Sequence, residues 1–189
     1  SIDEHLEMQE SETFKTIFKL LSFYKIPEAC EFASKNNLHR LSLLISQMSA
    51  NDRDKYWMEK FLDGFVWKER GVIVDDFKNL YLLLAGIPTR ETINTCDDLN
   101  WMRSFGLHLW YIAPAAAPID VAFNLYKKAF VESEYACKPI PPYCESQSQT
   151  SQFDLLYHIL ALYVDGTYQL CNVLHPETHT ENAMDYRLR

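Results

Sequence analysis

Hydrophobic positions along this chain recur mostly at the three- and four-residue spacing of amphipathic helices. The first stripe comprises Phe14, Ile17, Phe18 and Leu21, and it predicts a helix with Ser11 as its N-cap. Further segments with the same spacing follow, and most are preceded by residues that favour helix starts. These start signals are Pro27, Asn51 or Asp52, Asp75 or Asp76, Asp97 or Asp98, Pro118 and Ser151.

The pattern predicts an all-α fold, an irregular α-solenoid of stacked antiparallel helix pairs. Nearly every predicted helix is shorter than about 16 residues and is followed by a short linker, as is typical of antiparallel neighbours. Residues 1–189 are expected to form a single helical domain, with residues 132–150 as a long internal loop. A short ninth helix is expected at residues 167–174. The run Gly71–Val74 fits either a strand or the start of the fifth helix.

The sixth predicted helix carries an aromatic face that we expect to be buried. Trp101, Phe105, His108 and Leu109 share that face at helical spacing. Trp110 and Tyr111 follow directly, and a core position is the favoured interpretation for both.

Charge and composition exclude several classes of function. The chain has 26 acidic and 18 basic residues, a net charge of -8, whereas nucleic acids and anionic membranes bind clustered cations. No apolar run reaches the ~18 residues of a membrane span. The five cysteines are widely spaced, which indicates free thiols in a reducing compartment and predicts that no disulfide forms.

Motifs for catalysis are not found in the sequence. It lacks a glycine-rich phosphate-binding loop and a nucleophile turn, so we expect neither an enzyme nor a bound cofactor. The best metal candidate is Cys171 with His175 and His179, spaced C-x3-H-x3-H. Pro176 interrupts the helix that would align these ligands. An all-α zinc protein is therefore kept only as an alternative, and no metal site is predicted.

Large aromatic side chains crowd the fourth predicted helix and the residues after it. On one helix they would point to several faces, so those not packed inward must meet another element or another protein. The predicted interface residues are Trp57, Phe61, Phe65 and Trp67, followed as second choice by Phe14 and Phe18. Burial in the core would explain the same residues equally well.

Collinear segments of the chain resemble a known family. They are Lys25–Cys30 with His39–Gln47, Leu82–Pro88, Leu99–Arg103 with His108–Tyr111, Tyr135–Tyr143 and Asp185–Leu188. These segments are similar to the ninety-six-kilodalton nucleoporin family, the C-terminal product of the ninety-eight/ninety-six nucleoporin precursor. The chain has Asn37-Leu38 where the family usually has Gly-Asp, a change confined to a turn between helices. Because the family continues past the last segment, we expect a middle fragment of its ancestral coatomer element.

The resemblance implies a structural scaffold nucleoporin. The ancestral coatomer element is a folded-back helical stack shared with vesicle-coat proteins. The family belongs to the Y-shaped complex of the nuclear pore at the nuclear envelope, which supports nucleocytoplasmic transport of protein and mRNA. The implied partners are a neighbouring helical nucleoporin of about one hundred and seven kilodaltons and, mostly through segments missing here, the small WD-repeat propeller shared with the COPII coat. A vesicle-coat or tethering α-solenoid is the alternative in the same fold class.

Overall fold

The computed structural model describes residues 2–47, 52–64, 72–141 and 153–169. The elements are α1 (Ile2–Ser22), α2 (Ile26–Lys35), α3 (His39–Gln47), α4 (Asp52–Gly64), α5 (Val72–Ala85), β1 (Thr89–Arg90), β2 (Ile93–Asn94), α6 (Trp101–Leu107), a π-helical segment (His108–Ile112), α7 (Ile119–Val131) and α8 (Leu155–Val164). Helix dominates, and the two short strands pair only with each other. The predicted all-α class is therefore confirmed.

The chain falls into two compact units, residues 1–137 and residues 138–189. In the first unit, α5 is the central helix, packed against α1, α4 and the π-helical segment. Its last two turns, Leu80–Ala85, are buried throughout.

In the second unit, α8 is capped by Asp154, whose backbone N–H donates to the Pro139 carbonyl at 2.7 Å. The expectation of one domain over residues 1–189, with a loop at 132–150, stays a prediction.

Several helix ends lie where the sequence places them. Pro27 occupies the first turn of α2. The helix ends at Lys35 with Asn36 as its C-cap, and Asn37 follows in a left-handed conformation at a φ of 62°. Gly86 ends α5 with a φ of 70°, a conformation that glycine adopts without the steric cost of a Cβ. Pro118 directly precedes α7.

The predicted start of α1 is wrong. The helix already begins at Ile2, and Ser11 lies inside it rather than at its end. Ser11 is buried, and its hydroxyl donates to the Asp76 carboxylate of α5 at 2.5 Å. The sequence around a serine can look the same whether the serine caps its own helix or bonds a neighbouring helix. The pattern alone therefore does not distinguish these two roles.

Asp75 and Asp76 lie inside α5, which already begins at Val72, so the prediction that one of them is its N-cap is wrong. Two later caps also differ from the prediction. Asn100, not Asp97 or Asp98, caps α6, and its side-chain oxygen accepts from the Arg103 N–H at 2.9 Å. Asp154, not Ser151, caps α8, and its carboxylate accepts from the Leu156 N–H at 2.9 Å. In both cases the competing residue lies only two or three positions earlier, and all of these residue types are good caps.

The remaining differences concern short elements. Val72–Val74 form the first turn of α5 and not a strand. A hairpin that the sequence did not indicate pairs Thr89 with Asn94 and Arg90 with Ile93. Residues 165–168 form a turn, closed by a 2.9 Å hydrogen bond from the Tyr168 N–H to the Asp165 carbonyl. The rest of the ninth predicted helix lies outside the described residues.

Candidate interaction surface

A metal site at Cys171, His175 and His179 is the chemical alternative that the sequence offers. All three lie outside the described residues. Within the part of the chain that the structure describes, no three His, Cys, Asp or Glu side chains are grouped to hold a metal ion. None of the described helices combines the length and apolar character that crossing a bilayer requires.

The buried histidine of the first unit is held as a neutral ring. His108 is fully buried, and its Nδ1 donates to the Ser104 carbonyl at 2.7 Å. Its Nε2 lies 2.9 Å from the Tyr135 hydroxyl, which donates to it. Burial lowers the pKa of His108, and burial raises the pKa of Tyr135 to about 12. Both rings are thus neutral at physiological pH, and the pair links the π-helical segment to the chain that follows α7.

The described cysteines are free thiols of low reactivity. They are Cys30, Cys96 and Cys137. Burial raises the pKa of all three, that of Cys137 to about 11, so the nucleophilic thiolate is scarce at neutral pH. The Cys137 thiol donates to the Leu99 carbonyl at 3.1 Å. These residues are therefore part of the packing.

The predicted interface residues fall in different environments. Trp57 of α4 is exposed, at 60% of its surface. Phe14 is buried at 9% and packs edge-on against Phe77 with ring centroids 5.6 Å apart, so it has little surface left for a partner. Phe18 is half-buried. The side chain of Phe61, and the whole of Phe65 and Trp67, lie outside the described residues. Whether any of these residues contacts a partner stays a prediction.

Trp57 lines a large apolar groove in the first unit. The groove encloses about 810 Å³ and lies between the end of α3 on one side and α4 on the other. The α1–α2 connection, α5, the π-helical segment and the loop that follows it complete its walls. Its lining includes Tyr24, Ile26, Pro27, Leu44, Ile45, Trp57, Met58, Leu84, Leu109, Trp110, Tyr111 and the alanines 113 and 115–117. The groove is thus a concave surface of mainly apolar side chains, the usual form of a binding site.

Two aromatic rings form one wall of the groove and are held in place. Tyr24 and Trp110 stack with centroids 4.9 Å apart at an interplanar angle of 26°. Trp110 also lies against Gly106, where a Cβ would come within 2.7 Å of the indole. Trp110 is nevertheless 38% exposed. Contacts with Gly106 and Tyr24 therefore hold the exposed indole of Trp110 in one position.

The floor of the groove is rigid because it belongs to the core. Tyr111 is 2% exposed, and its hydroxyl donates to the Leu21 carbonyl at 2.8 Å. Burial raises the pKa of Tyr111 well above its ordinary value of 10, so this donor keeps its proton. A Cβ at Gly86 would lie 2.5 Å from the Tyr111 carbonyl oxygen, so glycine is needed for the end of α5 to approach so closely.

Sequence reasoning identified Trp57 but missed the other aromatic residues of the groove. Trp110 was assigned to the core with Trp101 and Tyr111, which are indeed buried at 4% and 2%. Tyr24 precedes Lys25 in the turn after α1 and has a φ of 57°. No periodic signal marks a residue in such a turn, so only the fold brings its ring onto Trp110.

Most of the chain is similar to proteins of the nuclear pore. The model of the Nup96 family, described as nuclear protein 96, matches residues 15–189. The nuclear pore complex protein Nup98-Nup96 of Drosophila melanogaster is 34% identical over 180 residues, 89% of this chain and 9% of that protein. Nucleoporin nup189 of Schizosaccharomyces pombe is 26% identical over 198 residues, 95% of this chain and 11% of that protein.

A third relative extends the similarity to nearly the whole chain. Nup98-Nup96 of Dictyostelium discoideum is 22% identical over 203 residues, 99% of this chain and 10% of that protein. The chain thus spans about a tenth of the length of these curated relatives. The resemblance noted in the sequence is confirmed by the family match and by the 34% identity over most of the chain. The chain therefore belongs to the Nup96 family of nucleoporins.

Proposed function

We propose that this chain is part of a scaffold nucleoporin of the Y-shaped complex at the nuclear pore. It acts by presenting rigid helical faces to other helical proteins. The scaffold in turn supports the passage of protein and mRNA between nucleus and cytoplasm. No catalytic step and no cofactor are part of this function.

The main partner in this proposal is the neighbouring helical nucleoporin of about one hundred and seven kilodaltons. Trp57 is the described residue that fits a place at the junction, since it is exposed on α4 and borders an apolar groove. The small WD-repeat propeller binds mostly through segments outside this chain. Direct nucleic-acid binding is not proposed, because the net charge is -8.

One observation carries the proposal, the family match over residues 15–189. The exposed aromatic groove supports it, because interfaces are enriched in tryptophan and tyrosine. The neutral His108–Tyr135 pair and the protonated thiols also support a structural role. Neither group has the pKa shift that would activate it as a nucleophile or a general base.

The test is to tag the complete protein that contains this segment in its own cells and to purify its assembly. We expect fluorescence at the nuclear rim, with the helical neighbour and the propeller in stoichiometric amounts. A protein found instead on transport vesicles, with coat subunits as its stoichiometric partners, would reverse the proposal in favour of the vesicle-coat alternative. Measuring both location and partners keeps the two outcomes separate.

A further inference from the structure

We draw no further inference here: the strongest candidate, the exposed apolar face of α8 formed by Leu155, Leu156, Ile159 and Tyr163, carries none, because nothing in the structure shows what covers it.

Discussion

Single residues of α6 and of the π-helical segment after it show how far helical spacing predicts burial. Trp101, Phe105 and His108 are buried as expected, at 4%, 8% and 0% exposure. Leu109 is half-exposed instead of buried, whereas Leu107 and Tyr111 are buried at 0% and 2%. The expectation for Leu109 is wrong because the chain becomes π-helical at His108. A π turn contains more residues than an α turn, so it changes which of the later side chains face inward.

Replacing Trp101 tests the buried face. Trp101→Ala should lower the free energy of unfolding by about 3–5 kcal/mol, because it removes a large buried ring and leaves a cavity. Urea denaturation followed by circular dichroism measures this loss. Met102→Ala is the comparison, since the neighbouring Met102 is 44% exposed and its truncation should cost far less. A loss under about 1 kcal/mol for Trp101→Ala would contradict the burial of this face.

His108 makes stability depend on pH. Burial lowers the pKa of His108 below its ordinary value of 6.5, with the hydrogen bond to the Ser104 carbonyl opposing the shift. The unfolded chain therefore binds the proton more readily, so the contribution is complete above about pH 6.5 and is lost as the pH falls through the lowered pKa. The slope from one such proton is at most about 1.4 kcal/mol per pH unit.

Unfolding by urea between pH 5 and pH 8 measures that dependence. His108→Gln should flatten the part of the curve below pH 6.5, because glutamine does not titrate. Tyr135→Phe is the control, since it removes the hydroxyl bonded to His108 but leaves the imidazole, and it should keep the slope. Identical slopes in wild type and His108→Gln would show that His108 is not responsible.

At the scale of elements, two glycines decide how helices meet the groove. Gly86 ends α5 against the Tyr111 carbonyl, and Gly106 in α6 provides the space beneath Trp110. Neither contact is visible in the sequence. Gly86 stands before Pro88 as an ordinary helix stop, and Gly106 interrupts an otherwise periodic helix without any turn to account for it.

Gly106→Ala should dislodge Trp110. The added Cβ would lie 2.7 Å from the indole, so the ring has to leave its position and its stack on Tyr24. We expect a loss of about 1–3 kcal/mol in stability, together with a change in tryptophan fluorescence. Gly166→Ala is the matched control, because a Cβ there meets nothing within 4 Å and should change stability by no more than about 0.5 kcal/mol. Unchanged fluorescence in Gly106→Ala would contradict the packing of Trp110.

At the scale of the whole molecule, an apolar groove marks the described surface of the first unit. The first unit has a rigid apolar groove with a lysine on its wall, and its buried histidine, tyrosine and thiols are all held neutral. The chain spans about a tenth of the length of its curated relatives. The proposed location at the nuclear rim is the prediction at this scale.

The sequence by itself determined the helical class, the ends of α2 and α5 and the family. The helical class and the helix ends depend on interactions within a few residues of the chain, which the apolar spacing, Pro27 and Gly86 reveal. The tertiary structure alone decided that Ser11 bonds Asp76, that Leu109 is only half-buried and that Tyr24, Trp57 and Trp110 line one groove. The bond of Ser11 and the groove depend on contacts between segments far apart in the chain, and the burial of Leu109 depends on a change in helical pitch. The spacing of apolar residues within one segment indicates neither of these features.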